Sequence, residues 1–199
     1  MKADYKSFYW LVALILLTRG ADAVTTYIGS PDLQYELNPV VGVFHQGWLG
    51  LFLVTASLTA GLLYLAYLHY VHPLDYGSVP TAYSQSPTQF AAFAAFGNGG
   101  KITNFLYRLP NLKLLARWTG FVGGYTLLFY GFFVVANNLV LIYPSFLTEP
   151  WINAGLASTT VDGIFITTSV FLLTVHFFKT QYRNVQNISY YSNQNIAAN

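Results

Sequence analysis

The chain has 199 residues, of which 54% are hydrophobic, 18% aromatic and only 8% charged, and its mean hydropathy is +0.44. Soluble domains carry about 25% charged residues, so this composition indicates an integral membrane protein. The absence of cysteine excludes disulfides, thiolate metal sites and cysteine nucleophiles. The net charge of +2 includes no cluster of Lys and Arg that would indicate a nucleic-acid partner.

Four apolar stretches are long enough to cross a bilayer, which takes about 20 residues. They cover residues 8–28, 41–70, 118–144 and 151–178. We predict an all-α integral membrane fold: a four-helix transmembrane bundle formed by residues 1–180, followed by a polar C-terminal tail, 181–199, that frays. The first stretch resembles a signal peptide, but Arg19 and Asp22 interrupt it, so we expect an uncleaved helix.

The basic residues predict the orientation of the four helices. Except for Arg19, every Lys and Arg lies before the first stretch, between the second and third, or after the fourth. The other two connections, 29–40 and 145–150, contain only acidic charges. The positive-inside rule then places both termini and residues 71–117 on the cytoplasmic side of a prokaryotic-type cytoplasmic membrane.

The long connection 71–117 contains two distinct patterns. Phe90–Phe96 has an aromatic residue at every third position, and Lys101–Arg117 is a basic amphipathic segment interrupted by Pro110. The second pattern predicts an interfacial segment on the cytoplasmic leaflet between the second and third helices. A docking surface for another subunit fits the same pattern.

Small residues on the predicted helices indicate how they pack, because lipid is as apolar as leucine and close backbone approach favours association. The third helix has Gly120, Gly124, Gly131 and Asn138 near one face, and the second has a stripe of small residues, Gly47, Gly50, Ser57 and Gly61. We expect these faces to point into the bundle. They also suit self-association or contact with other membrane subunits.

Polar residues converge on the outer half of the predicted bundle. At 1.5 Å per residue, Asp22 and Asn138 lie about 9 and 8 Å from the outer edge, and Arg19 and Asp162 about 14 and 16 Å. A charge near the bilayer centre costs at least about 2.5–3.5 kcal/mol, so it usually faces a partner. The predicted buried polar cluster comprises Arg19, Asp22, Thr25, Thr26, Glu36, Asn38, Asn137, Asn138 and Asp162.

This cluster has two interpretations. Arg19 can pair with Asp22 three residues later on the same helix, and it can also bridge to Asp162 as a structural clamp between the first and fourth helices. Alternatively, the group binds an ion or substrate, or takes part in catalysis. A metal site is a further hypothesis; its ligands would be Asp22, Glu36, His45 and Asp162, which carry the carboxylate and imidazole groups that suit zinc, iron or manganese.

A second set of histidines lies near the predicted cytoplasmic ends of the helices. His69 and His176 on facing helices could ligate a b-type haem, as paired histidines do in helical bundles. Interfacial histidines among belt aromatics have the same pattern. Both interpretations stay open at this stage.

Asp22-Ala-Val-Thr25-Thr26, followed by Glu36-Leu-Asn38-Pro39, resembles a motif of small uncharacterised bacterial and archaeal polytopic membrane proteins. In these proteins an Asp-x-x-[Ser/Thr]-Thr helix precedes Glu-x-Asn-Pro. The match covers residues 22–39. It implies that Asp22, Thr25, Glu36 and Asn38 form a unit across the first helical hairpin, and it implies no activity.

We expect a non-catalytic accessory or assembly subunit of a larger membrane complex, or a homo-oligomer, in contact with the lipid bilayer, with bound lipid and with no nucleic-acid partner. The alternative is an intramembrane enzyme or an ion-binding or transport protein that uses Arg19, Asp22, Glu36 and Asp162. A third hypothesis is a b-haem electron carrier that uses His69 and His176.

Overall fold

The computed structural model describes residues 3–33, 47–76, 79–80, 83–143 and 159–197. These residues form helices and, within these ranges, no strand. The helices are α1 (Tyr5–Gly29), α2 (Trp48–Val71), α3 (Pro87–Phe96), α4 (Leu112–Ile142) and α5 (Thr159–Ala197), with a 3-10 helix (Ile102–Leu106) between α3 and α4. The predicted all-α class is confirmed.

Four of these helices are long and apolar enough to cross a membrane: α1, α2, α4, and residues Val161–Gln186 of α5. The shortest, α2, has 24 residues, and a helix of that length extends about 36 Å, more than the bilayer core of about 30 Å. In lipid every backbone N–H and C=O must be bonded within the protein, which is why such apolar stretches fold as helices. The chain is therefore an integral membrane protein.

The start of α4 differs from the boundary that the sequence predicts. α4 begins at Leu112 rather than at residue 118, because the side chain of Asn111 accepts a hydrogen bond from the Lys113 N–H (2.9 Å) and caps the helix directly after Pro110. The starts of the second and fourth predicted stretches, 41–46 and 151–158, lie outside the described residues.

Where the sequence predicts a fraying tail from Gln181, α5 continues as a helix to Ala197. Ser84 and the small helix α3 that follows it pack on the first turns of this extension. Tyr182 donates a hydrogen bond to the carbonyl of Ser84 (2.9 Å), and its ring lies 6.0 Å from that of Phe90. Gln181 and Val185 are buried. Composition alone did not reveal this cover, which comes from a segment far away in sequence.

The three other spanning helices all pack against α4, and α1 also contacts α2. Asp4 N–H donates to the carbonyl of Tyr70 (2.9 Å), so α1 starts where α2 ends. At the same end, Trp118 of α4 donates to Thr174 of α5 (3.1 Å). We call this the basic end, because the described basic residues other than Arg19 belong to it: Lys6, Lys101, Arg108, Lys113, Arg117, Lys179 and Arg183. Its assignment to the cytoplasm stays a prediction.

Three glycines of α4 allow the close approach of its neighbours. A Cβ at Gly120 would collide with the backbone carbonyl of Leu65 in α2. A Cβ at Gly124 would lie 3.2 Å from Cδ2 of Leu11 in α1, and one at Gly131 would lie 2.7 Å from Oγ1 of Thr18. The predicted small-residue face of the third span therefore faces the bundle interior.

The corresponding prediction for α2 was wrong. Around Gly47 and Gly61, a Cβ would meet no atom within 4 Å in the part of the chain that the structure describes. Thr59 and Ala66, which are buried within α2, lie on the face opposite that stripe. The glycine stripe is therefore not the surface that α2 presents to α4.

The described part of the connection between α2 and α4, which the sequence predicts to be cytoplasmic, folds against the basic end. Ser86 caps α3 by accepting from the Gln89 N–H (3.2 Å), and the aromatic repeat of that helix buries Phe90 completely. Ala95 of α3 joins Leu114 and Phe177 in one core cluster. This packing fixes the position of the 3-10 helix that follows.

We predict that Gly120→Ala lowers thermal stability, because the added methyl group must displace the α2 backbone. Overpacking of this kind costs about 1–3 kcal/mol. Gly61→Ala is the matched control: it adds the same methyl group to a helix where space is open, so its melting temperature should be unchanged or slightly higher. Thermal unfolding of both variants in the same detergent measures the difference, and equal melting temperatures would contradict the packing described.

Candidate functional site

The polar contact between α1 and α4 is built around Asn138. Its side-chain amide donates towards Thr25 Oγ1 (3.0 Å), Thr26 Oγ1 (3.3 Å) and Asp22 Oδ1 (3.4 Å). Asn138 lies about 6 Å along the axis from the end of α4 at Ile142. One side chain of α4 thus connects two turns of α1 near the end opposite the basic end.

Arg19 and Asp22 form an ion pair on α1, with Nη1 and Oδ2 3.3 Å apart. The two side chains are only 16% and 22% exposed, so the pair is largely shielded from the surroundings. Arg19 lies against Gly131 of α4, where a Cβ would approach Nη2 to 2.7 Å. A side chain at this position would displace the guanidinium group and would also crowd Cβ of Thr18 (2.9 Å), so the glycine allows α1 and α4 to approach at this level.

The guanidinium group of Arg19 keeps unused donors. Its Nε and Nη2 atoms are buried and have no hydrogen-bond partner among the described residues. A buried donor without a partner costs about 1–3 kcal/mol, more when it is charged. The ion pair with Asp22 compensates only part of the desolvation of this side chain.

Asp162 lies on the other side of α4. Its Oδ2 accepts a hydrogen bond from the Tyr130 hydroxyl at 3.4 Å, and the side chain is only partly buried. Tyr130 lies about 18 Å along α4 from Ile142, near the middle of this helix. Because Tyr130 and Gly131 are neighbours in sequence, Asp162 and Arg19 lie at nearly the same depth and contact α4 from two different directions.

The structure thus brings together five residues of the predicted cluster: Arg19, Asp22, Thr25, Thr26 and Asn138. Asn137 is partly buried beside Asn138, while Asp162 belongs to a separate contact. Of the two ion pairs in the predicted clamp, the Arg19–Asp22 pair within α1 is present. The Arg19–Asp162 pair, which would connect α1 to α5, is not formed among the described residues.

Glu36, Asn38 and His45 lie outside the described residues. Within the described ranges, no three His, Cys, Asp or Glu side chains are grouped so that they could hold a metal ion. Since two of the four proposed ligands are not described, the metal hypothesis stays a prediction.

Sequence reasoning missed Tyr130, which bonds Asp162, and the contact of Arg19 with Gly131. A signal for Tyr130 was available. Tyrosines of membrane proteins concentrate at the interfaces, so a tyrosine in the middle of an apolar span already indicates a polar partner nearby.

The two histidines considered for haem lie on either side of Phe121. Its ring centroid is 5.1 Å from that of His69 and 5.9 Å from that of His176, stacked at 14° in the second case. A haem between the imidazoles would require Phe121 to move, because its ring already contacts both. The haem hypothesis stays a prediction.

An open apolar groove of about 720 Å³ runs between α4 and α5. It is lined by Phe129, Phe132, Phe133, Phe165, Ser169, Leu172, Leu173 and His176. Since both helices span the membrane, the groove belongs to the lipid-facing surface of the bundle.

Comparison with protein-family models, with curated proteins and with solved structures finds no match. The resemblance of residues 22–39 to small prokaryotic membrane proteins therefore stays a prediction. The fold itself defines the class: a polytopic membrane protein with four helices able to span a bilayer.

The two acids should respond differently to neutralisation. Asp22→Asn keeps an acceptor for Asn138 but removes the negative charge beside Arg19. Leaving one member of a buried ion pair without its partner costs about 3–5 kcal/mol, so we expect a clearly lower melting temperature. Asp162→Asn keeps the acceptor for Tyr130 and has no cation to leave unpaired, so we expect a small change.

Thermal unfolding of the two variants in one detergent checks this difference. An equal loss in both would mean that Arg19 depends on Asp162 as much as on Asp22, contrary to the contacts described.

Proposed function

We propose that this protein is a non-catalytic accessory or assembly subunit of a larger membrane complex, or a homo-oligomer, and that a partner helix packs on the side of α5. The observation that carries the proposal is the partly exposed carboxyl group of Asp162 near mid-depth of the bundle.

Among the described residues, Asp162 has fewer hydrogen-bond partners than a carboxyl group at this depth requires. A carboxyl group deep in the bilayer usually faces the bundle interior and has a partner, yet its described hydrogen bond is a single one, from Tyr130 at 3.4 Å. On the same face of α5, Phe165, Ser169 and Leu173 line the open groove between α4 and α5. A second transmembrane helix with a hydroxyl or amide group at this level would cover the carboxyl group and fill this groove.

The contacts around Asn138 support a structural role for the other cluster. Asp22 is engaged both by Arg19 and by Asn138, and the Thr25 hydroxyl also donates to the Asp22 carbonyl (3.1 Å). Groups that are occupied by one another in this way hold α1 against α4. They leave little for a substrate to bind.

The protein is extracted from its membrane directly into lipid nanodiscs, without detergent exchange, and the mass of protein in each particle is measured. We expect a particle heavier than one 22.2 kDa chain, with fixed stoichiometry. Asp162→Leu should release the partner and leave a single folded chain, whereas Asp162→Asn, which keeps the polar group, should retain it. A single chain in the wild type, or full assembly of Asp162→Leu, would contradict the proposal.

A second candidate function is ion binding or transport, and the unused Nε and Nη2 donors of Arg19 favour it. A guanidinium group with free donors binds anions well. Chloride and proton uptake by proteoliposomes tests this candidate: wild-type protein should show uptake that Arg19→Gln abolishes and Leu17→Ala, an exposed position on the same helix, preserves. Absence of uptake by the wild type would remove it.

A further inference from the structure

The connection between α3 and α4 exposes an unusual amount of apolar surface at the basic end. Leu106 is 86% exposed and Leu109 84%, and Ile102 and Leu112 are exposed as well. We call these four residues the leucine face. Side chains of this kind, clustered within eleven positions of the chain, indicate contact with an apolar environment that the protein itself does not supply.

The opposite side of the same segment is anchored, so the leucine face has a defined direction. Asn104 is buried, and its Oδ1 accepts a hydrogen bond from the Tyr107 hydroxyl (2.7 Å). The ring of Phe105 lies 4.8 Å from that of Phe96 in α3 and 6.5 Å from that of Phe178 in α5. Leu106 and Leu109 therefore point outward while Asn104 and Phe105 of the same segment are held inward.

The segment lies at the level where the spanning helices enter the bilayer. Leu112 is the first residue of α4, and one turn later Arg117 donates from Nε to the carbonyl of His72, directly after the end of α2. The ends of two spanning helices thus meet here. Side chains that project outward at this level reach the headgroup region and the outer part of the acyl chains.

The charges around the leucine face have one sign. Lys101, Arg108 and Lys113 are all exposed, and residues 101–113 contain no acidic residue. Apolar side chains flanked by Lys and Arg are typical of segments that lie in the interface of membranes with anionic lipids. A water-facing loop would not require the leucines, and a purely lipid-buried one would not carry the charges.

We propose that residues 101–113 form an anionic-lipid binding surface, in which the leucine face inserts into the leaflet at the basic end and Lys101, Arg108 and Lys113 contact phosphate headgroups. The ligand class is an anionic phospholipid such as phosphatidylglycerol. Insertion at this point also fixes the start of α4 relative to the bilayer, since Leu112 belongs to both the leucine face and the helix.

The chain has no cysteine, so a single introduced one can be labelled with an environment-sensitive dye without a background. We would label Leu106→Cys and Leu109→Cys in full-length protein reconstituted into phosphatidylcholine vesicles with and without phosphatidylglycerol. Thr88→Cys is the control, because Thr88 is exposed on α3 at the end further from α4. Each variant must keep the wild-type melting temperature.

We expect blue-shifted emission from the dye at residues 106 and 109, strong quenching by lipids with a quencher near the headgroup, and neither effect at residue 88. Replacing Lys101, Arg108 and Lys113 by Gln should remove the preference for quencher-labelled phosphatidylglycerol over labelled phosphatidylcholine.

Two outcomes would overturn the proposal. Water-like emission at residues 106 and 109 would show that the leucine face is outside the membrane. Blue-shifted emission without quenching by lipid would show that a protein surface, from another subunit or a second copy, covers it instead.

Discussion

The arrangement of this bundle depends on how closely two helices can approach α4. Lipid offers no hydrophobic gain for bringing apolar helices together, so association relies on close contact of backbones and on polar groups. Gly120 allows close backbone contact with α2 and Gly124 with α1, because even a Cβ at either position would meet a neighbouring atom. Gly131 provides close backbone contact and a polar contact together, because Thr18 and Arg19 occupy the space that a side chain at residue 131 would fill. The polar cluster is thus a consequence of the same close approach.

The asymmetry of α4 follows from that constraint. Its glycine face is occupied by α1 and α2, and the contact of α5 lies elsewhere on the helix, formed by Tyr130 and by stacked aromatics such as Phe133 and Phe165, whose centroids are 4.9 Å apart. Large side chains keep two helices further apart than glycines do. An open groove between α4 and α5 is the result, and α5 keeps much of its surface available to lipid or to a partner.

The sequence predicted the number of spanning helices and, through the positions of Lys and Arg, which helix ends meet. Both follow from properties that act residue by residue, namely apolar length and charge. It also placed Asp22, Thr25, Thr26 and Asn138 in one polar cluster, because polar side chains deep in a span need polar partners. It could not predict which face of α2 is buried. Small residues permit close approach but do not require it. Gly61 and Ala66 are both small and lie on different faces of α2, and only Ala66 is buried. The packing of residues 181–186 depends on Ser84 and α3, and this is a tertiary contact between segments about one hundred positions apart.

The depth of Arg19 gives the two polar contacts different physical characters. Arg19 is compensated by Asp22 on its own helix, so the pair can enter the membrane as a neutral unit and needs α4 only for Asn138 and for space at Gly131. Asp162 has no cation in the membrane-spanning part of its own helix: residues 151–178 contain no Lys or Arg. A cation that pairs with it at this depth must come from another helix. Tyr130 supplies one donor, and a carboxyl group can accept several hydrogen bonds. The need for a further partner is therefore built into α5 and not into α1, which is why the assembly surface is expected on the side of α5.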